Sequence, residues 1–396
     1  MKVSGIICEY NPFHNGHYYH IKKTRENGAT HIVAVMSGNF VQRGDVAVID
    51  KFERAKAAVR CGVDLVTELP VAYSLSGAEG FARGAMYILN SMGCVDELSF
   101  GSESGDINKI LSAVQASLAC SQSQELKTLL DSGVSYPSAM HALAERKYGK
   151  QVGDVFQWPN NLLAIEYIKA ISYLNSKITP FTITRKNAGH DQPGVICNFA
   201  SASFIRENIK ENAYEDLVPK VMYEILSDAV REGRYASFAN LEKAIMYKMR
   251  MMTPAMIREV PDVGQGLEHR IYEARTASTV TEMMEMIKTK RYTMSRIRRI
   301  LINALLGITK DDLTTPPVYA RILAVNERGT DILNIAKGKS RIPLSTSLAR
   351  LGEINAVTRR ATELEALSTD IFSIAMNKVQ PVGMDYRAKI GVTNSI

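Results

Sequence analysis

A doubly wound α/β sheet followed by a mostly helical half is the architecture this 396-residue sequence predicts. Three observations carry it. Within the first hundred residues, short β-branched apolar runs alternate with helix-period segments, which implies parallel strands joined by crossover helices. Gly28, Gly62 and Gly93 fall where helix C-caps belong. From about residue 215 onward helix-period patterns dominate, with two short strand-like runs among them.

In order, residues 3–8, 31–36, 65–69 and 97–101 read as short buried strands, with helices at 17–27, 51–61 and 77–91 between them. Pro12 bars the first strand from continuing. Residues 104–150 lack strand signal and read as a helical insertion. A helix at 160–174 and a last strand at 178–185 follow. A helix at 203–210 starts behind the Ser201-Ala202-Ser203 cap region. Helices are then expected at 216–231, 237–251, 265–276, 280–288 and 295–305. Strands at 319–325 and 341–344 flank a helix at 330–336.

The chemistry concentrates after the first strand, in Gly5-Ile6-Ile7-Cys8-Glu9-Tyr10-Asn11-Pro12-Phe13-His14-Asn15-Gly16-His17. Two histidines sit on a strand-to-helix turn, where free backbone N–H groups and the helix dipole attract phosphate. Gly16 lets a ligand approach without a Cβ in the way. Two imidazoles can donate to a triphosphate as charge grows during attack at its α-phosphorus, so the expected reaction is AMP transfer from ATP. His20 continues the three-residue spacing, but no Cys or carboxylate cluster stands close, so no metal site is expected. In open parallel sheets ligands bind at the carboxyl ends of strands. His14, Ser37, Gly38 and Gly101 lie just past strand ends and are expected to converge on one crevice. Arg43 offers a planar fork for phosphate or carboxylate; a surface loop arginine reads the same. Arg185 and Lys186, beyond the last strand, suit a polyphosphate. One of Asn160 and Asn161 is expected to cap the helix that follows.

Composition narrows the class. No run approaches the ~20 apolar residues a membrane span needs, and the first ten residues include Glu9 and lack a signal-peptide core. Five scattered cysteines without Cys-x-x-Cys spacing suggest free thiols in a reducing cytosol. Of the net charge of +7, residues 201–396 contribute +6, all of it inside residues 251–350. Residues 288–299 hold six cations and no acid (Lys288, Lys290, Arg291, Arg296, Arg298, Arg299), ahead of a helix with an apolar face. Such a block suits RNA phosphates, with Tyr292 able to stack on a base.

The sequence also resembles a known family. His-x-Gly-His is the signature of nucleotidyltransferase-like α/β proteins, a superfamily that includes the class I aminoacyl-tRNA synthetases. The longer match, over 5–17, 36–44, Glu68-Leu69-Pro70, Phe100-Gly101-Ser102-Glu103, 159–167 and Lys290-Arg291-Tyr292-Thr293, resembles the bacterial tRNA(Met) cytidine acetate ligases. Cys8 departs from the small aliphatic residue expected there.

The resemblance implies a nucleotidyltransferase-type catalytic domain at 1–212 and a basic tRNA-binding domain at 213–396. It implies ATP contacts from 6–19, among them Ile7, Glu9, Tyr10, Asn11, Pro12, Phe13, His14, Gly16 and His17. Gly101, Arg185 and an asparagine, Asn161 in preference to Asn160, join them. His14 and His17 are the expected catalytic pair. Ser201 to Arg206 resembles the Ser-Ser-Thr-x-Ile-Arg helix start of small nucleotidyltransferases, though a plain N-cap accounts for it. The implied reaction activates acetate with ATP, as its Mg2+ complex, to acetyl-AMP. It then acetylates N4 of cytidine 34 in elongator tRNA(Met), in the cytoplasm. Two other readings stay open: a nucleotidyltransferase joining AMP to a phosphorylated metabolite, and a non-catalytic RNA-binding protein that senses ATP.

Overall fold

The computed structural model describes residues 1–185, 198–211, 213–264, 266–388 and 390–392. Its main sheet has eight strands. The five from the N-terminal half are β1 (Val3–Cys8), β2 (His31–Ser37), β5 (Leu65–Leu69), β6 (Glu97–Ser102) and β7 (Thr179–Thr184); β3 (Phe40–Val41) and β4 (Asp45–Val46) form a separate hairpin. These five run parallel in the order β5-β2-β1-β6-β7. Chain direction across the sheet therefore reverses between β1 and β6, which opens a crevice beyond their carboxyl ends. The strands are near-continuous runs of buried residues, as a sheet covered on both faces requires.

The sheet does not stop at residue 212. β8 (Ala320–Val325) pairs antiparallel with β5, and β9 (Leu344–Ser345) and β10 (Gly391–Val392) pair parallel with β8. The expected strand at 319–325 is thus present, but it extends the N-terminal sheet. A fully buried ionic cluster seals the junction. Lys51 Nζ lies 2.5 Å from Glu68, 3.3 Å from Glu365 and 2.7 Å from Asp385, and Arg321 bonds Glu68 and Asp385. Two cations face three carboxyls. Burial, with Glu68 beside it, pushes the Glu365 carboxyl up to about 8, so one proton neutralises the cluster.

Helices form where their caps predict. Asp50 caps α2 (Lys51–Arg60) through Phe52 and Glu53 N–H, and Gly28, Gly62 and Gly93 all take positive φ. The insertion is helical at Ile107–Cys120, Gln124–Asp131 and Tyr136–Tyr148. The expected helix at 216–231 begins only at Lys220, because Pro219 fits the position before a helix and not its interior. The expected helix at 237–251 divides into a tight turn at Phe238–Leu241 and a helix at Glu242–Met251. The 20-residue helix Ala356–Ala375 was not anticipated. No helix among the described residues is long and apolar enough to cross a membrane.

Candidate functional site

β1 delivers the chain to the crevice, and the loop after it is held from below. Tyr10 and Phe13 are buried, with Tyr10 edge-on to both Phe13 and His17 at 4.8 Å. Asn11 accepts from Val48 N–H at 2.7 Å and donates to the Val46 carbonyl, while Glu9 accepts from Gln42 N–H at 2.8 Å. These three bonds fasten the loop to the β3–β4 hairpin and the residues just after it. Arg54, fully buried, donates to the carbonyls of Glu9, Ser37 and Gly38 and so ties the ends of β1 and β2 together.

His14 is the N-cap of α1 (Asn15–Glu26). Its Nδ1 accepts from Gly16 N–H at 3.0 Å, and His17 Nδ1 accepts from His14 N–H at 3.2 Å. A backbone N–H can only donate, so both Nδ1 atoms are bare and both rings carry their proton on Nε2. The rings stack, centroids 3.6 Å apart and 22° from parallel. A Cβ on residue 16 would lie 2.8 Å from the His14 ring, so glycine is required for this cap. Burial first, then Arg185 and Arg206, holds the His14 pKa down to about 3; burial and His14 hold His17 well below its usual value. At neutral pH the site presents two uncharged imidazoles, each with its Nε2–H unused by the cap.

These rings line a cleft with Gly16, Tyr19, His20, Gly101, Thr184, Arg185 and Phe199, enclosing about 530 Å³ of non-protein space, open solvent at the mouth included. Gly101 lies at the end of β6, and a Cβ there would meet Arg185 Cγ at 3.2 Å. Arg185 is exposed at the mouth. Arg206 donates to the Asn11 carbonyl at 2.7 Å, and its charge reaches His14. Asn15 donates to the carbonyls of Asn198 and Asp216, joining α1 to the far wall. Among the described residues no group of three or more His, Cys, Asp or Glu side chains is placed to hold a metal ion. The geometry suits a polyphosphate against neutral donors, a helix N-terminus and flanking guanidiniums.

Comparison with known proteins agrees. The family model of HIGH nucleotidyl transferases matches residues 1–385. The chain is 39% identical over 397 residues to the tRNA(Met) cytidine acetate ligase of Thermoanaerobacter sp. (strain X514), covering 98% of each. It is 40% identical over 393 residues to that of Acetivibrio thermocellus, covering 94% of each. The crystal structure of Thermotoga maritima TmcAL bound with alpha-thio ATP matches at a TM-score of 0.90 with 30% identity, covering 100% of both chains.

The chain belongs to the tRNA(Met) cytidine acetate ligase family.

Within this acetate-ligase framework the expected residues fall into two sets. His14, Gly16, His17, Gly101 and Arg185 converge on the cleft. The others lie outside its lining. Ile7 is half-buried on β1, Glu9 and Asn11 hold the loop to the hairpin, and Tyr10, Pro12 and Phe13 pack beneath it. Ser37 and Gly38 are also buried away from the cleft, because Gly38 packs against Glu68 and Glu365. Lys186 falls outside the described residues.

Asn161 is buried and accepts from Ser104 N–H at 3.1 Å. Neither asparagine caps its helix. Pro159 starts it, and the Glu103 carboxylate reaches across to accept from Asn161 N–H and Asn160 Nδ2. An acid from a neighbouring loop has replaced the local cap. Cys8 packs in the core with its thiol toward the Val35 carbonyl, away from the cleft.

The basic block is less free than its charge suggests. Arg299 is buried, paired with Asp262 at 2.7 Å, and reaches the Gln42 carbonyl. Arg298 pairs with Asp45 at 3.3 Å, and Arg296 holds the Asp262 carbonyl. Lys290 and Arg291 are exposed. The guanidiniums of Arg291 and Arg296 sit 5.9 and 5.0 Å from the Tyr292 ring centre. Sequence reasoning missed the link to the hairpin. A Cβ on Gly44 would lie 2.4 Å from Arg299 N, so the hairpin turn docks directly on this helix.

Proposed function

We propose that the protein is an ATP-dependent ligase that activates acetate as acetyl-AMP and acetylates N4 of cytidine 34 in elongator tRNA(Met). The observation that carries this is the stacked, neutral His14–His17 pair, with both Nε2–H groups left over from the helix cap, facing a cleft flanked by Arg185 and Arg206. Magnesium accompanying ATP would offset part of the phosphate charge, and Arg185 and Arg206 would offset more. An acetate oxygen attacks the α-phosphorus, the bond to the bridging oxygen breaks, and pyrophosphate leaves. The two imidazoles donate to phosphate oxygens as charge grows on them, and a positioned neutral donor needs no reorganisation to do so. The cytidine amine then attacks the acetyl carbonyl. A C–N bond forms, the C–O bond to AMP breaks, and one N4 proton is released.

His14, Gly16, His17, Gly101 and Arg185 contact ATP in this reading. Ile7, Glu9, Tyr10, Asn11, Pro12, Phe13 and Asn161 shape the loops that hold it. The division at residue 212 is one of labour: residues 1–212 carry the nucleotide chemistry, and residues 213–396 supply most of the RNA surface. Lys290, Arg291 and Tyr292 begin that surface, and the β3–β4 hairpin connects it to the ATP loop. The protein works in the cytoplasm, where its tRNA is. The test is acetate-dependent pyrophosphate exchange, followed by mass spectrometry of nucleosides from treated tRNA. N4-acetylcytidine formed only with ATP and acetate together is expected. ATP turnover indifferent to acetate would favour transfer of AMP to another metabolite, and ATP binding without turnover would leave a sensor.

A further inference from the structure

His20 lines the same cleft, one helical turn beyond His17, and neither the helix cap nor the phosphate chemistry uses it. Its hydrogen bonds fix its tautomer. Thr24 Oγ1 donates to the His20 carbonyl at 2.9 Å, since a carbonyl can only accept. A hydroxyl has one hydrogen, so in the 2.7 Å contact of Thr24 Oγ1 with Ser99 Oγ the serine donates. Ser99 then has none left for the ring, and His20 Nε2–H donates to Ser99 Oγ at 3.0 Å. His20 Nδ1 is therefore a bare lone pair. Among the described residues it has no donor, and it is not sealed from solvent. Burial, then Arg185, holds the ring pKa down to about 4, so it stays uncharged.

The cleft thus offers two ring donors and, one turn away, one ring acceptor. A helical turn advances about 5 Å, and side chains of one helix lean the same way, so the rings keep that offset. In a nucleotide whose α-phosphate meets His14 and His17, that distance reaches the ribose hydroxyls; the base amino group lies farther. Ser99 and Gly101 share a face of β6, and Gly101 lines the cleft together with His20 and Arg185.

We infer that His20 Nδ1 accepts a hydrogen bond from a ribose hydroxyl of the bound nucleotide, with Ser99 and Thr24 holding the ring in the accepting tautomer. His20 is then a specificity residue that selects ribonucleotides over their deoxy forms. This rests on the reading of the cleft as an ATP site.

The experiment compares acetate-dependent pyrophosphate exchange with ATP, 2′-deoxy-ATP and 3′-deoxy-ATP, in the wild type and in His20→Ala. The wild type should prefer ATP over one deoxy analogue by roughly three- to tenfold in kcat/KM, the worth of one hydrogen bond. The analogue that suffers identifies the hydroxyl. In His20→Ala that preference should vanish. Should His20→Ala not fold, His20→Phe fills the space without an acceptor and carries the same expectation. A wild type indifferent to both analogues, or a folded variant with the preference intact, overturns the inference. No exchange by the wild type with ATP and acetate would instead remove the ATP reading itself.

Discussion

The histidine turn and the basic block both look functional in the sequence, yet the fold treats them in opposite ways. At the turn, His14 and His17 use Nδ1 to cap a helix and keep Nε2–H for the cleft. Each ring uses one nitrogen for the helix cap and leaves the other for the cleft. In the block, Arg298 and Arg299 use their guanidiniums on Asp45 and Asp262, and Arg296 holds a carbonyl. Their charge is largely committed within the protein. The lesson is that a functional group is counted by what remains after local hydrogen bonding. Six cations in 288–299 overstate the free charge of the block, and a count of three histidines does not tell which ring nitrogens remain for the cleft.

The comparison breaks most sharply at His14. His14→Ala should slow acetate-dependent pyrophosphate exchange by about 10²–10³-fold. His14→Asn should keep helix stability, because asparagine is a good N-cap, and still lose most of the rate. Full activity in the asparagine variant would make His14 a cap alone. In the block, Arg299→Ala should lower unfolding stability by about 2 kcal/mol in urea titration, less than breaking a fully buried pair costs because Asp262 is a quarter exposed. A stable Arg299→Ala with weakened tRNA binding would return Arg299 to the RNA face. Gly101→Val should raise the apparent ATP constant about tenfold, as a β-branched side chain forces Arg185 aside; tRNA binding should persist.

Proton linkage gives a smaller effect. His14 is held unprotonated down to about pH 3, whereas the unfolded chain takes up that proton near pH 6.5. Its stabilising effect is therefore present above pH 6.5 and is lost as pH falls toward 3, by up to about 1.4 kcal/mol per pH unit. His14→Asn should flatten that decline between pH 6.5 and 5. An unchanged slope would assign the linkage elsewhere. The smallest effect belongs to Lys290→Ala and Arg291→Ala. Each should reduce the log–log salt slope of tRNA binding by about 0.7–0.9, with pyrophosphate exchange intact. No change in slope would leave the block as a solvated face.

The turn was legible in the sequence because Pro12, Gly16 and two histidines each have one strong local reason to be there. So were the five parallel strands. The helix Ala356–Ala375 was hidden because Thr358, Thr362, Glu365, Ser368, Thr369 and Ser373 line its buried side, so its inward stripe is polar and the apolar period is blurred. The cap by Glu103 and the docking of Gly44 on Arg299 depend on partners 58 and 255 residues away, and no local pattern encodes them. The tautomer of His20 needed the positions of Thr24 and Ser99 together.

The antiparallel strand β8 has a consequence for how the molecule is made. Its partner β5 leaves the ribosome some 250 residues earlier, and its ionic partners for Lys51 and Glu68 arrive with residues 321, 365 and 385. Until then the nascent chain carries an open strand edge and a half-built cluster of buried charge, the features that invite sticking to other chains. A ribosome-bound fragment ending near residue 212 should recruit chaperones strongly. Release from them should come late, once residue 325 has emerged and β8 closes the edge.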